Sequence, residues 1–583
     1  MESNYNSTQS IIKDHSNLNH SIDLSNGPSE SPDANHRKKR KYAGSLNKHV
    51  IYFMIFALIT AHVIWATVHF FRQNNYNVSW ETFRETTDKG YGLMVILYII
   101  YVYSLAYYYV FKPFAGEPLK RYVWNPAIEL SHSIRYGSYM FYIFIFAITL
   151  AYLIYDAQDD YKRLIPLGGL VVFLLAGFAF STAHRLVPWR TIAWGIILQF
   201  AFGFLTIRWE VGRNVLITFS NHVNTFLDYG VEAAAFTYGD FLVNQAQVFA
   251  FRALSVVFFI NFVVNLLYYY GLMQKFVNML GGALQYIMGT TICESVNSVA
   301  VAFVGMSEGP MMLRPYLKHL TDSELHSMLL AGFASVSGST FAAYISYGAR
   351  AQDLITASIM SSPSALCFSK LLYPETEEVK IKKKDVRMVE VEHSSAIDAA
   401  SKGALDAFHL IAAIISGVTA TLAFVYFLNG VLTWLGMLVG FTEDTNKWTL
   451  ELIAGKIFIP VAYIMGIEWE ECEKVGQVIG VKTMVNEFVA FSRLGDMNLS
   501  ARSKVIATYA ICGFSNPGSM GIMVSTMATL VPEKKENVTR IIFRALVGGA
   551  LVCFMTACIA GVLMPDSALD MDSVTTDNST INY

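Results

Sequence analysis

The stretch Ala302-Phe-Val-Gly-Met-Ser-Glu-Gly-Pro-Met-Met-Leu313 carries a single carboxylate, Glu308, among apolar and small residues. A second stretch, Thr483-Met-Val-Asn-Glu-Phe-Val-Ala-Phe491, places Glu487 in similar surroundings. A charged side chain inside an apolar segment is costly to maintain, so it usually marks a place where a protein binds or moves something polar. Glu308 and Glu487 are therefore the first candidate functional residues.

Each of these stretches is followed by a string of small residues that begins with Gly-Phe. The first string is Gly332-Phe-Ala-Ser-Val-Ser-Gly-Ser339 and the second is Gly513-Phe-Ser-Asn-Pro-Gly-Ser519. The chain thus reads as two copies of one unit, each containing one buried charge. Internal repeats with glycine- and proline-interrupted helices are typical of secondary transporters, whose substrate site lies near the middle of the membrane. The pattern indicates a transporter.

The composition places the chain in a membrane. Of its 583 residues, 54% are hydrophobic and only 15% are charged, and the mean hydropathy is +0.39. That leaves too little polar surface to cover a soluble protein of this size. Apolar runs long enough to cross a bilayer recur along the sequence, and we expect ten or more spans. The predicted fold class is an all-α polytopic membrane protein.

Other classes of function find little support in the sequence. The net charge is only −2, which gives no indication of a nucleic-acid partner. The spacing of His and Cys suggests neither a metal cluster nor a nucleophile with its base, so we expect no enzyme, no cofactor and no metal beyond a coupling ion. A channel or pore-type solute pathway remains the alternative, although we would expect a channel to carry rings of one residue type around a symmetry axis.

Charged segments outside the apolar runs predict the orientation of the chain. The basic run His36-Arg-Lys-Lys-Arg-Lys41 precedes the first apolar run, which places the amino terminus in the cytoplasm by the positive-inside rule. The acceptor sequences at Asn77 and Asn578 then fall outside the cell, and they are the candidates for glycosylation. The carboxyl terminus is also expected outside.

The sequence divides into eight predicted segments, with a charge-rich linker between two apolar halves. In order they are a disordered cytoplasmic tail (1–48), extra amino-terminal transmembrane helices (49–160), scaffold helices with an interfacial segment (161–275), the first transport repeat (276–372), the charged cytoplasmic linker (373–395), a scaffold helix (396–450), the second transport repeat (451–565) and an acidic extracellular tail (566–583).

Two segments are too interrupted to be plain spans. Residues 281–295 are rich in glycine and polar side chains, and residues 453–469 are predicted to break at Pro460 and Gly466. A re-entrant hairpin fits both better, since it reaches membrane depth where protein or water satisfies its loosened backbone. Each repeat is thus expected to begin with a hairpin. Glu294, near the first turn, is expected to cap backbone amides rather than to contact a ligand.

Several motifs resemble those of the concentrative nucleoside transporters, and the resemblance extends from about Leu164 to Pro565. They include Gly289-Thr-Thr-x-x-Glu294, Ser307-Glu-x-Pro310, Asn486-Glu-Phe-Val-Ala490 and Cys512-Gly-Phe-x-Asn516. The resemblance implies a homotrimer of chains with two inverted repeats, each with a re-entrant hairpin and broken helices. It also implies cation-driven import of nucleosides across the plasma membrane. The spans before Leu164 resemble the extra amino-terminal helices of the eukaryotic branch.

The same resemblance assigns the substrate-binding residues. One group occupies the stretch that in the family meets the nucleoside base and sugar, and a second resembles the ribose-binding carboxylate, amide and hydroxyl. The chemistry agrees, because a carboxylate accepts hydrogen bonds from vicinal hydroxyls while an amide and a hydroxyl complete the set. Phe514 is expected either to contact the base or only to pack between helices. The residues so implied are Met306, Ser307, Glu308, Glu487, Phe514, Asn516 and Ser519.

Met306 stands where the family often has glutamine. Within the family, glycine followed by methionine, as in Gly305 and Met306, accompanies a preference for purine nucleosides, whereas serine followed by glutamine accompanies pyrimidines. A methionine gives up the hydrogen bonds of the amide but packs on the larger face of a purine. The resemblance therefore implies that adenosine, guanosine or inosine is preferred over cytidine.

Val301 is a departure at the position where sodium-coupled members carry an asparagine that resembles a sodium ligand. The ligand-like groups that remain are the carbonyls of Val304 and Val336 and the hydroxyl of Ser335, so one oxygen is missing. We expect sodium as the coupling ion, bound weakly. A proton is the alternative, because it needs only a carboxylate such as Glu308, whose charged form is disfavoured in apolar surroundings.

Overall fold

The computed structural model describes residues 54, 56–74, 86, 90–107, 137–158, 160–381, 394–441 and 447–564. Within these ranges the chain forms helices and the turns between them. The predicted terminal tails, the glycosylation candidates Asn77 and Asn578, and residues 382–393 of the predicted linker lie outside the described residues. The chain divides into two compact units, residues 1–133 and 134–583.

The first unit contains two apolar helices that pack against each other. One covers residues 56–73, and the other, α1, is Tyr91–Ala106. The ring of Phe70 stacks on that of Tyr91 at a centroid distance of 4.3 Å, and the hydroxyls of Thr60 and Tyr98 lie 3.1 Å apart. Hydroxyl contacts of this kind are a common way for helices to associate within a membrane.

The second unit begins with helices that precede the first repeat. Asp156, at the end of the first of them, forms ion pairs with Arg163 and Arg208, so this helix packs against the segments that follow it. These helices are α2 (Gly137–Asp156), α3 (Ile165–Ala179), α4 (Trp189–Gly203), α5 (Glu210–Tyr238), α6 (Phe249–Arg252) and α7 (Val256–Tyr269).

The first repeat begins with a helical hairpin, as the sequence predicts. Its two helices, α8 (Leu272–Met288) and α9 (Ile292–Phe303), are joined at Gly289, which adopts a left-handed conformation with φ +74°. The hairpin closes tightly, because a methyl group added at Gly281 would lie 2.7 Å from the Cα of Val296. The helices of this repeat are α8 (Leu272–Met288), α9 (Ile292–Phe303), α10 (Glu308–Met311), α11 (Asp322–Ala334), α12 (Phe341–Ser346) and α13 (Ala351–Leu372).

The second repeat has the same plan and follows the long helix α14 (Ala396–Leu438). Its hairpin bends by 120° between α15 (Leu450–Ile464) and α16 (Trp469–Met484), and Gly466 at the bend has φ +92°. The helix continues through Pro460, so the predicted break at that residue is wrong; in membrane helices, neighbouring groups can satisfy the backbone that a proline releases. The helices are α15 (Leu450–Ile464), α16 (Trp469–Met484), α17 (Glu487–Asp496), α18 (Ala501–Ile511), α19 (Pro517–Leu530) and α20 (Lys535–Leu563).

By length and composition, five helices in the described part of the chain could each cross a membrane, or six if the bent pair of α15 and α16 is one span. This number is below the ten or more that the apolar runs predict. The difference arises partly because three apolar helices, Tyr91–Ala106, Met140–Asp156 and Ile292–Phe303, are shorter than a full span, and other stretches are interrupted by breaks, as between α9 and α10. These breaks expose backbone groups and side chains inside the protein, which is where the candidate site lies.

Candidate functional site

The first carboxylate lies at the break between α9 and α10. Gly305, within this break, has φ +138°, a conformation that strongly favours glycine. A methyl group there would lie 2.6 Å from Oε2 of Glu308 and 2.9 Å from Oγ of Ser337. The hydroxyl of Ser337 also donates a 2.9 Å hydrogen bond to the carbonyl of Val304. The glycine therefore makes room for the Glu308 carboxylate beside the break that follows α11.

The second carboxylate lies at the break between α16 and α17. Asn486 caps α17, because its side-chain oxygen accepts a 3.0 Å hydrogen bond from the backbone amide of Val489. Glu487 is then the first residue of that helix, and it is only 2% exposed. Its position at the start of a helix is favourable for a carboxylate, because helix amino termini carry partial positive charge.

Asn516 joins this carboxylate to the break between α18 and α19. Its side-chain nitrogen donates to Oε2 of Glu487 at 2.6 Å and to Oγ of Ser519 at 3.0 Å. Its side-chain oxygen accepts from the backbone amide of Ser519 at 2.8 Å and so caps α19. One amide thereby fixes a carboxylate, a hydroxyl and a helix terminus with respect to one another.

All seven residues expected to bind substrate line one partly open cavity. The carboxylates of Glu308 and Glu487 come from different repeats, and the breaks in four pairs of helices converge here. Phe514 lines the cavity rather than only packing between helices, and it is 6% exposed. The cavity can therefore accommodate a ligand with one hydroxyl-rich part and one flat apolar part.

Sequence reasoning missed one whole wall of this cavity. The wall is a face of α14, a helix that shows no interruption or buried charge to mark it in the sequence. Ser337, Thr340, Asn486 and Phe488 were also missed, although Ser337 belongs to the first small-residue string. The residues of α14 that line the cavity are Leu410, Ala413, Ile414, Gly417, Val418 and Thr421.

The residues expected to bind the coupling ion lie just behind the cavity and do not line it. The carbonyl of Val304 accepts a hydrogen bond from Ser337, and that of Val336 accepts one of 3.3 Å from Ser358. The hydroxyl oxygen of Ser335 is buried and has no hydrogen-bond partner in the described part of the chain. Val301 is 1% exposed and contributes no side-chain oxygen. An unpaired buried hydroxyl is costly, so Ser335 is suited to bind an ion.

Glu294 lies outside the cavity and has a structural partner. Its Oε1 accepts a 2.7 Å hydrogen bond from the backbone amide of Thr291, which completes a capping box at the start of α9. Its Oε2 lies 2.9 Å from the ammonium of Lys370, and both side chains are buried. The geometry agrees with the capping role expected for this residue.

Three family signatures match the second unit. One described as "Na+ dependent nucleoside transporter N-terminus" matches residues 168–241, and one described as "Nucleoside recognition" matches residues 250–351. A third, "Na+ dependent nucleoside transporter C-terminus", matches residues 353–561. Together they cover both repeats and the helices before them in the order expected.

Similar proteins include two mammalian cotransporters and one solved structure. Sodium/nucleoside cotransporter 2 of Rattus norvegicus is 35% identical over 507 residues, which are 83% of this chain and 75% of the relative. Sodium/nucleoside cotransporter 1 of Oryctolagus cuniculus is 39% identical over 443 residues, 73% of this chain and 66% of the relative. The structure of CNTnw in an inward-facing substrate-bound state has a TM-score of 0.65 and 33% identity, covering 69% of this chain and 98% of that one.

Proposed function

The chain belongs to the concentrative, sodium-dependent nucleoside transporter family, and on this premise we propose that it imports nucleosides across the plasma membrane with a preference for purines. It is a multi-pass membrane transporter of a family that performs sodium-coupled nucleoside symport, and not an enzyme. The observation that carries the proposal is the convergence of Met306, Glu308, Glu487 and Asn516 on one cavity.

The ribose is held by the cluster around Glu487. Its carboxylate accepts hydrogen bonds from sugar hydroxyls, while Asn516 and Ser519 supply an amide and a hydroxyl beside it. Asn516 already orients the carboxylate, so little side-chain freedom is lost when substrate binds. Glu308 and Ser307 approach the nucleoside from the first repeat. Two repeats thus contribute to one site.

The base lies against the apolar part of the cavity. Met306 and Phe514 both line it, and an aromatic ring and a polarisable thioether are well suited to the face of a base. Met306 offers no amide to the polar edge of a pyrimidine, whereas a purine loses less because its larger ring system gains more contact. This difference supports the preference for purine nucleosides.

The coupling ion is sodium, held by the carbonyls of Val304 and Val336 and the hydroxyl of Ser335. The unpartnered oxygen of Ser335 supports this assignment, while the aliphatic Val301 removes one ligand from the set. Sodium is strongly hydrated and loses affinity when oxygens are missing. We therefore expect weak sodium binding, with protons as a second coupling ion.

The cavity also supports the proposed division into scaffold and transport repeats. One wall belongs to α14, which lies in the segment 396–450 assigned to the scaffold, and the remaining lining comes from the repeats at 276–372 and 451–565. A substrate at such a boundary can be carried along the scaffold as the repeats move. We propose a homotrimer with a cytoplasmic amino terminus, an extracellular carboxyl terminus and glycans at Asn77 and Asn578.

Uptake of labelled nucleosides into cells or vesicles tests the function. With an inward sodium gradient, inosine and adenosine should accumulate above the external concentration, and replacing sodium by choline should reduce uptake at neutral pH more than at acid pH. A channel would equilibrate the label without accumulating it. Equal inhibition of inosine uptake by cytidine and by unlabelled inosine would contradict the purine preference.

A further inference from the structure

Lys482, in α16, is a buried cation with almost no polar contact. Its side chain is 0% exposed, and its ammonium is hydrogen-bonded to the hydroxyl of Ser515. In the described part of the chain it has no carboxylate within ion-pair distance and no other hydrogen bond. Burying an ammonium in this way is expensive, and side chains that remain charged inside a membrane protein usually have a function.

The internal repeats show what this position corresponds to. Gly332 and Gly513, which begin the two small-residue strings, are 181 positions apart. The second helices of the two hairpins, α9 and α16, end at Phe303 and Met484, which are also 181 positions apart. The two repeats therefore share a register of 181 positions at the end of the hairpin and at the following break, whereas Glu308 and Glu487 between them are 179 positions apart.

In that register, the residue that matches Lys482 is Val301. Ser335 likewise matches Asn516, the residue directly after Ser515. The contact between Lys482 and Ser515 joins the end of α16 to the break between α18 and α19. In the first repeat, the proposed sodium ligands come from the two corresponding elements, the end of α9 and the break that follows α11. The ammonium of Lys482 lies where the second repeat would place a coupling ion.

The balance of charge in the site agrees with this correspondence. Each repeat contributes one carboxylate to the cavity. Glu487 is accompanied by Lys482 in its own repeat, whereas Glu308 forms no ion pair in the described part of the chain, and Val301 stands at the position that Lys482 occupies in the other repeat. Only the first repeat needs a cation from solution to become neutral.

We propose that Lys482 acts as a tethered coupling cation, which permanently occupies the ion position of the second repeat. The inference rests on the proposed sodium-coupled transport and adds that one soluble cation, bound in the first repeat, accompanies each nucleoside. The break that follows α11 and the break between α18 and α19 lie in contact, since a methyl group at Gly513 would lie only 2.6 Å from the carbonyl oxygen of Phe333. This contact explains how the ion positions of both repeats influence one substrate. From Lys482, the path to substrate runs through Ser515 to its neighbour Asn516 and on to Glu487.

The first test removes the tethered charge. Lys482→Ala should leave a position that a soluble cation fills, so the Hill coefficient for sodium should rise from about one toward two, and the half-saturating sodium concentration should rise about tenfold. The charge moved per nucleoside under voltage clamp should rise from one to two. Lys474→Ala is the matched control, because Lys474 lies on the same helix with an exposed side chain that donates to the carbonyl of Asn498.

The second test adds a tethered charge to the first repeat and does not depend on the folding of the first variant. Val301→Lys should let purified protein in detergent bind inosine without sodium, measured as a thermal shift that sodium no longer increases. A folded Val301→Lys protein that still requires sodium overturns the proposal, as does a Lys482→Ala transporter with unchanged sodium dependence. If the wild type neither transports nor binds nucleosides, the proposed function itself fails.

Discussion

The side-chain amide of Asn516 donates a 2.6 Å hydrogen bond to the carboxylate of Glu487, although the two residues are 29 positions apart. The bond joins the break between α16 and α17 to the break between α18 and α19. The oxygen of the same Asn516 amide caps α19. The binding geometry of the second repeat is therefore in place before substrate arrives.

Replacing Glu487 by glutamine should cripple uptake, because a buried charged hydrogen-bond acceptor is lost and the Asn516 amide is left with a weaker partner. The expected cost is about 2–5 kcal/mol, or roughly a thirtyfold to several-thousandfold loss of apparent affinity. Glu308→Gln should have a similar effect. Uptake of labelled inosine, normalised to the amount of protein at the cell surface, measures both. Glu473→Gln is the control, since Glu473 is partly exposed and its ion-pair partner among the described residues is Lys456. Near-normal uptake by either site variant would refute the assignment of that carboxylate.

Replacing Met306 by glutamine should move the preference from purine toward pyrimidine nucleosides. The amide restores a donor and an acceptor for the polar edge of cytidine or uridine and removes some of the apolar surface that a purine covers. We expect the ratio of inosine to cytidine uptake to fall by about tenfold, the effect of one good hydrogen bond. Competition of each unlabelled nucleoside with labelled uridine measures the change, and an unaltered order of inhibition would count against Met306 as the base contact.

Replacing Val301 by asparagine should lower the sodium requirement, because it adds an oxygen to a ligand set that now lacks one. Ser335→Ala should raise the requirement, since it removes the one hydroxyl of the set that has no other partner. Half-saturating sodium concentrations measured at fixed inosine report both effects. In the wild type we expect a high value and uptake that increases in acid; saturation at a few millimolar sodium without any pH response would show that the site is complete without the asparagine.

Replacing Glu294 by alanine should destabilise the protein rather than alter its selectivity. It removes the nearer of the two carboxylates that pair with the buried Lys370 ammonium, Glu375 being the other at 3.5 Å, and half of the capping box at Thr291, a loss of about 1–3 kcal/mol. Thermal unfolding in detergent measures the effect. The exposed pair of Lys456 and Glu473 serves as comparison, since removing a surface ion pair changes stability by less than about 1 kcal/mol. Equal melting temperatures for the Glu294→Ala protein and for a protein lacking the Lys456–Glu473 pair would contradict the structural role of Glu294.

Two features of the chain could be read directly from the sequence, because each has a local cause. A carboxylate in an apolar segment is conspicuous wherever it lies, and so Glu308 and Glu487 identified both repeats. Glycine-rich interruptions likewise predicted the two hairpins, since left-handed turns such as those at Gly289 and Gly466 strongly favour glycine. The predicted break at Pro460 was wrong because it considered only the local effect of proline. The proline ring disrupts an isolated helix, but packing within the protein keeps α15 continuous.

The wall formed by α14 and the contact of Lys482 were decided only by the tertiary structure. Nothing in the sequence near Thr421 or Gly417 marks them as cavity residues, because their role depends on helices that are distant along the chain. Lys482 follows an ordinary helical segment, and its lack of an ion pair becomes apparent only once the surrounding helices are packed. Sequence thus determined which residues carry unusual chemistry, whereas packing determined which of them meet, since contacts between distant segments depend on the whole fold.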